Sequence, residues 1–286
     1  MRSSLLLVLL VLVVACHENA SGHESAPILP HAPAAEPNGA PPPSGASPAV
    51  ASPASPAVTP LASEWVVKLE APREPIDFAC PPLGATGPRP IVVALHGMDA
   101  RPEWVCNDFH ATFGPWPWVI CARGDVATKQ NWSWGSVAGM QKAVARVVAR
   151  VKERWPEYVT DDGSVLATYS QSASMAPGLL ADAHAHRFAS GFFLEGFSKD
   201  LPMYAPAIAQ HGLQRAVFFA TQQGNRAPAD RSARALGKAG IASVSLYGGA
   251  LGHWFTPNTV PALRKGVPDA VRDLPAWSGY PGPPDS

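Results

Sequence analysis

The chain has 286 residues, Lys+Arg and Asp+Glu at 22 each, 47% hydrophobic residues and only 15% charged ones. With no net charge to hold a polyanion, nucleic acid is excluded as the default partner. So few charges beside 32 prolines indicate two unlike kinds of sequence averaged together, and the elements are taken in chain order.

Arg2 precedes an apolar run from Leu5 to Ala15 that ends at Cys16. A spanning helix needs about 20 apolar residues, so this run is too short to cross a bilayer and reads as an export signal. Val13-Val14-Ala15-Cys16 resembles the bacterial lipobox. That resemblance implies a signal peptide over residues 1–15, acylation of Cys16, and a lipoprotein anchored to a membrane of the bacterial cell envelope, facing the periplasm or the exterior. An ordinary secretory signal is the plainer alternative, and either way the chain leaves the cytoplasm. Residues 16–62 lack Lys, Arg and aromatic side chains and are rich in Pro, Ala and Ser. They hold too little apolar surface to offset ordering entropy and read as a disordered tether.

The remainder, residues 63–286, is long enough for one sizeable core. Apolar, β-branched runs at Ile91–Leu95, Trp118–Cys121, Val165–Tyr169, Gly191–Leu194, Ala216–Ala220 and Ala242–Tyr247 predict strands, with an antiparallel starter strand at Trp65–Leu69. Between them lie helical stretches. The clearest spans Val137 to Trp155, where Met140, Val144, Val147, Val148 and Val151 recur at three- and four-residue steps and Lys142, Arg146, Arg150 and Lys152 take other faces. Regular alternation implies an α/β fold, a mostly parallel central sheet flanked by helices, with any chemistry at the carboxyl ends of the strands.

Three strand ends carry informative residues. Val165–Tyr169 runs into Ser170-Gln171-Ser172-Ala173-Ser174, a strand, small residues and then a helix, as a nucleophile on a tight turn requires. Two registers fit, centred on Ser170 or Ser172; the strand must end just before the nucleophile, which favours Ser170. Ile91–Leu95 ends in His96-Gly97-Met98-Asp99. Ala242–Tyr247 is followed by Gly249-Ala250-Leu251-Gly252-His253. Together, in this order, these segments resemble the α/β-hydrolase superfamily, and in particular its small, lidless serine esterases and polyester depolymerases. The resemblance implies Ser170 as nucleophile, His253 as base, and the backbone N–H groups of Met98 and Gln171 as an oxyanion hole. Thr168 and Ser172 stand where the family has glycines, and a β-branched Thr168 is expected to crowd the turn.

The acid is the open position. After Ala216–Ala220, where the family shows Asp, this chain has Asn225, which can orient an imidazole but not stabilise its cation. Either the acid has moved or activity is impaired. Glu195 closes the strand Gly191–Leu194, a costly place for an unpartnered carboxylate, and is the leading candidate; Asp200 and Asp230 are alternatives.

Trp116, Trp118, Trp132 and Trp134 are expected either to line a binding surface or to fill the core. His184 and His186 point apart on a helix, and no metal is expected there. No phosphate-binding glycine loop implies a cofactor. Of the thiols beyond Cys16, three pairings are open among Cys80, Cys106 and Cys121, and Cys106–Cys121 is favoured because it ties a helix to the next strand. The sequence therefore reads as an exported, lipid-anchored serine hydrolase of small or polymeric carboxylic esters. The alternative is a catalytically silent α/β-hydrolase-like surface binding module, motivated by Asn225 and the non-glycine turn.

Overall fold

The computed structural model describes residues 58–256 and 258–285. The expected signal, Cys16 and the tether up to residue 57 lie outside the described residues. Leu61, assigned to the tether from sequence, instead belongs to the folded domain: it is buried and exchanges backbone hydrogen bonds with Gly84 and Ala85.

The strands are β1 (Val67–Leu69), β2 (Asp77–Cys80), β3 (Arg89–Leu95), β4 (Trp118–Cys121), β5 (Val126–Ala127), β6 (Trp132–Ser133), β7 (Val159–Tyr169), β8 (Ser190–Leu194), β9 (Arg215–Ala220) and β10 (Ala242–Tyr247). The helices are α1 (Pro102–Phe113), α2 (Val137–Arg154), α3 (Gln171–Leu180), α4 (Leu201–Gln210), α5 (Arg226–Lys238), α6 (Thr259–Arg264) and α7 (Val267–Val271). One eight-stranded sheet runs in the order β1-β2-β4-β3-β7-β8-β9-β10. Within it only β1/β2 and β2/β4 pair antiparallel, and the β4-β3-β7-β8-β9-β10 run is parallel; β5 and β6 form a separate antiparallel pair.

The sheet is buried on both faces, so the inner stretches of its central strands, such as Ile91–Leu95 and Val165–Ala167, are apolar at consecutive positions rather than alternating. Val93, Leu166, Phe193 and Phe218 point into a core layer closed by α2, α3, α4 and α5. Their neighbours Val92, Ala167, Phe192 and Val217 point the other way, into a layer closed by α1, α6 and α7. The predicted strands are present, several of them longer or shifted by a residue, and the 137–155 helix ends in the structure at Arg154.

Three strands went unread. β5 and β6 are too short to carry a period. β2 contains Asp77, which as a buried carboxylate argues against a strand until its partners are known. Those partners are Arg146 and Arg150, which reach from α2 to the Asp77 carboxylate at 2.7–2.8 Å, while the Arg123 N–H donates to it at 2.9 Å. The two arginines placed on the outer faces of α2 therefore pin that helix to β2.

Cys106 and Cys121 form a disulfide between α1 and β4, with Cα atoms 5.6 Å apart. Cys80 is a buried thiol without a disulfide partner among the described residues, and burial pushes its pKa up to about 12. Among the described residues, no helix is long and apolar enough to cross a membrane.

Candidate active site

The carboxyl ends of β3, β7, β8 and β9 and the loop after β10 meet at one place, and the residues there form the site. β7 ends at Tyr169, and the chain reverses into α3 through Ser170, whose φ of 56° and ψ of −112° lie outside the ordinary regions for an L-residue. Such a conformation costs on the order of 1–3 kcal/mol and lifts the side chain out of the turn. Ser170 Oγ lies 2.9 Å from His253 Nε2.

Ser172 points the other way. It is fully buried, and its hydroxyl donates to Leu95 O at 2.8 Å and accepts from Tyr169 N–H at 3.1 Å, tying the ends of β3 and β7 together. Room for the turn comes from the flanking strands rather than from glycines within the pentad. A Cβ on Gly97, after β3, would stand 3.1 Å from Ser170 Cβ, and one on Gly196, after β8, would stand 2.1 Å from Ser170 O. Thr168 fits, fully buried, with its hydroxyl lacking a partner among the described residues.

His253 is held from two sides. Tyr169 Oη donates to its backbone carbonyl at 2.6 Å, and the Tyr169 and His253 rings lie 5.3 Å apart. Thr221 Oγ1 donates to Gly252 O, also at 2.6 Å. The loop can approach so closely because Gly249 and Gly252 adopt positive φ values of 99° and 85°, open to glycine without strain.

Glu195 follows β8 with a φ of 55° and is 4% exposed. Burial raises its pKa, but hydrogen bonds from Thr221 N–H, the Gln222 side chain, Asn225 and Gln222 N–H outweigh this and leave it below the usual carboxylate value. Its Oε2 lies 3.5 Å from His253 Nδ1. Asn225, where an Asp was expected, donates from Nδ2 to Glu195 Oε2 at 2.7 Å. The alternatives lie elsewhere: Asp230 is exposed on α5 and Asp200 flanks the start of α4.

His96 is buried and braces the loop that holds Met98. Gly124 N–H donates to its Nε2 at 2.9 Å, so Nε2 is unprotonated and Nδ1, 2.7 Å from Gly97 O, carries the proton. Burial lowers its pKa to about 4, consistent with a neutral ring. Trp134 stacks on that ring at 4.9 Å and donates its indole N–H to His96 O. Gln171 opens α3, where the first N–H groups have no intrahelical acceptor.

The four tryptophans divide between the two expected roles. Trp118 is fully buried, with its N–H on Tyr158 O, and Trp116 packs on Trp277 and Tyr280; both stand near the amino ends of the strands, away from Ser170. Trp132, over Arg123 at 3.7 Å, and Trp134 stand on the site's side. His186 packs on Phe188 and meets Ser164 Oγ at 3.1 Å.

Sequence reasoning missed Gln222, whose Nε2 lies 2.5 Å from Glu195 Oε2 and 2.9 Å from His253 Nδ1. The only signal was its place immediately past the end of β9, one of the strand ends that compose such sites.

A mostly parallel eight-stranded sheet with an antiparallel second strand, and a strained serine turn between strand and helix, define the α/β-hydrolase fold. No family model matches the chain, and neither does any curated protein. Solved structures do resemble it. An uncharacterized protein from Bacillus cereus ATCC 10987 gives a TM-score of 0.53 at 8% identity, over 67% of this chain and 62% of that one. The Bacillus cereus carboxylesterase gives 0.43 at 13% identity, over 60% and 84%. Esterase PE8 gives 0.47 at 14% identity, over 64% and 92%. At these identities the likeness is one of fold alone.

Proposed function

We propose that this domain is a serine hydrolase of carboxylic esters, with Ser170 as nucleophile, His253 as general base and Glu195 as the acid. Ser170 Oγ attacks the ester carbonyl carbon while His253 Nε2 takes its proton; the carbonyl oxygen becomes an oxyanion that the N–H groups of Met98 and Gln171 stabilise. Collapse expels the alcohol, which leaves with the proton from His253. A water molecule then repeats the sequence on the acyl-enzyme and releases the acid.

The observation that carries this reading is a serine at positive φ, 2.9 Å from a histidine nitrogen, with a buried carboxylate on the histidine's far side. Both features that motivated a silent binding module have a structural account: Asn225 is a donor to Glu195, and Ser172 clamps the turn. Met98 and Trp254 are 63% and 69% exposed beside Ser170 and His253, which suits an apolar acyl or aryl group of a small or polymeric ester.

The test is hydrolysis of p-nitrophenyl esters: Ser170→Ala is expected to abolish it, and Ser172→Ala to retain it at reduced stability. The reverse pattern would reject the assignment. We further propose, on the lipobox resemblance alone, that Cys16 carries a lipid anchor. Unchanged membrane fractionation of Cys16→Ser would refute it.

A further inference from the structure

Glu195 Oε1 accepts the backbone N–H groups of Thr221 and Gln222, and Oε2 accepts the side-chain amides of Gln222 at 2.5 Å and Asn225 at 2.7 Å. These partners are all N–H donors, so the carboxylate is ionised. The Gln222 atom against it must then be the NH2, because an amide oxygen there would face a carboxylate oxygen with no proton between them. That same NH2 lies 2.9 Å from His253 Nδ1, whereas Glu195 Oε2 is 3.5 Å from Nδ1. A donor at 2.9 Å requires Nδ1 to accept. A neutral imidazole has one N–H, which then sits on Nε2 and points at Ser170 Oγ. In that tautomer His253 has no lone pair to receive the serine proton.

We propose that Gln222 is a positioning residue that holds the site at rest: its carboxamide occupies His253 Nδ1, and the site becomes competent when the carboxamide leaves and Nδ1–H turns to Glu195 Oε2. This rests on the hydrolase reading above and adds to it the step that precedes attack. The proton count is unchanged, since the imidazole gives its Nε2 proton to water and takes one at Nδ1; the His253 side chain is 34% exposed, so water reaches it. Glu195 exchanges one N–H partner for another and keeps Thr221, Asn225 and the Gln222 backbone. Gln222 is half-buried and precedes exposed Gln223 and Gly224, which leaves its side chain an outward path.

The experiment is 15N NMR of histidine-labelled protein in mildly alkaline buffer, with steady-state kinetics on the same samples. Wild-type His253 is expected to show an unprotonated Nδ1 and a protonated Nε2. Gln222→Met keeps the length without the donors. It is expected to move the proton to Nδ1 and to raise kcat by about three- to tenfold with KM nearly unchanged, the scale of one ordinary hydrogen bond. Gln222→Ala gives the same readout should the Met variant fold poorly. A wild-type Nδ1 already protonated, or a fall in kcat in both variants, overturns the proposal. Fluorophosphonate labelling reports on the hydrolase reading separately: a protein whose Ser170 never labels fails that reading, while the NMR result still decides the role of Gln222.

Discussion

Asn at position 225 has a physical reason once Glu195 is in place. An Asp there would set a second carboxylate where Nδ2 now donates at 2.7 Å, and two carboxylates so close cannot both ionise readily near neutrality. Asn225→Asp is therefore expected to lower activity at neutral pH and to leave the pair sharing a proton. Glu195→Gln is expected to reduce kcat by about a hundredfold or more with a smaller effect on KM, because the carboxylate acts on the charged imidazole of the transition state. Steady-state kinetics of both variants across pH check this. A large gain from Asn225→Asp with a negligible loss from Glu195→Gln would place the acid elsewhere.

At the scale of elements, the strand ends were legible and the distances across them were not. Ser170, His253 and Glu195 each follow an apolar run long enough to announce a strand, so their places at the sheet's carboxyl edge could be read from the chain. The expected crowding at Thr168 did not arise, because the turn draws its space from Gly97 and Gly196 on neighbouring strands, a relation between residues far apart in sequence. Gln222, and the contact of Asn225 with Glu195, were hidden for the same reason: a polar loop residue gives no sign of the carboxylate it will meet. β2 was hidden by Asp77, whose compensating arginines lie on α2. The turn yields a sharp expectation. Gly196→Ala drives a methyl group toward Ser170 O and should destabilise the domain by about 2 kcal/mol while depressing turnover further through the displaced serine. Gly87→Ala, with nothing among the described residues within 4 Å of the added Cβ, is the control. Thermal unfolding and activity of the two variants, compared directly, distinguish a packing turn from a tolerant one.

For the whole molecule, acid stability follows from two buried neutral histidines. Burial lowers His96 and His110 from 6.5 to about 4, so the unfolded chain takes up their protons before the folded one does. Their contribution is fully present above about pH 6.5 and is lost as pH falls toward about 4, at about 3 kcal/mol each. Asp108, raised by burial to about 6, works in the opposite direction over nearly the same range and offsets about 3 kcal/mol of that loss. The net expectation is a decline on the order of 3 kcal/mol, or roughly 10 °C in Tm, between those limits. His110→Leu, which also removes a buried nitrogen with no partner among the described residues, should flatten the profile. A Tm independent of pH across this window would contradict the burial argument. The central claim concerns one oxygen atom, and the most direct measurement is the mass of the intact protein after reaction with a fluorophosphonate, followed by peptide mapping of the adduct. The account predicts a single phosphonyl group, on Ser170, that is lost in Ser170→Ala and greatly slowed in His253→Ala. An unmodified wild-type chain, or an adduct mapped to Ser172 or elsewhere, would contradict it.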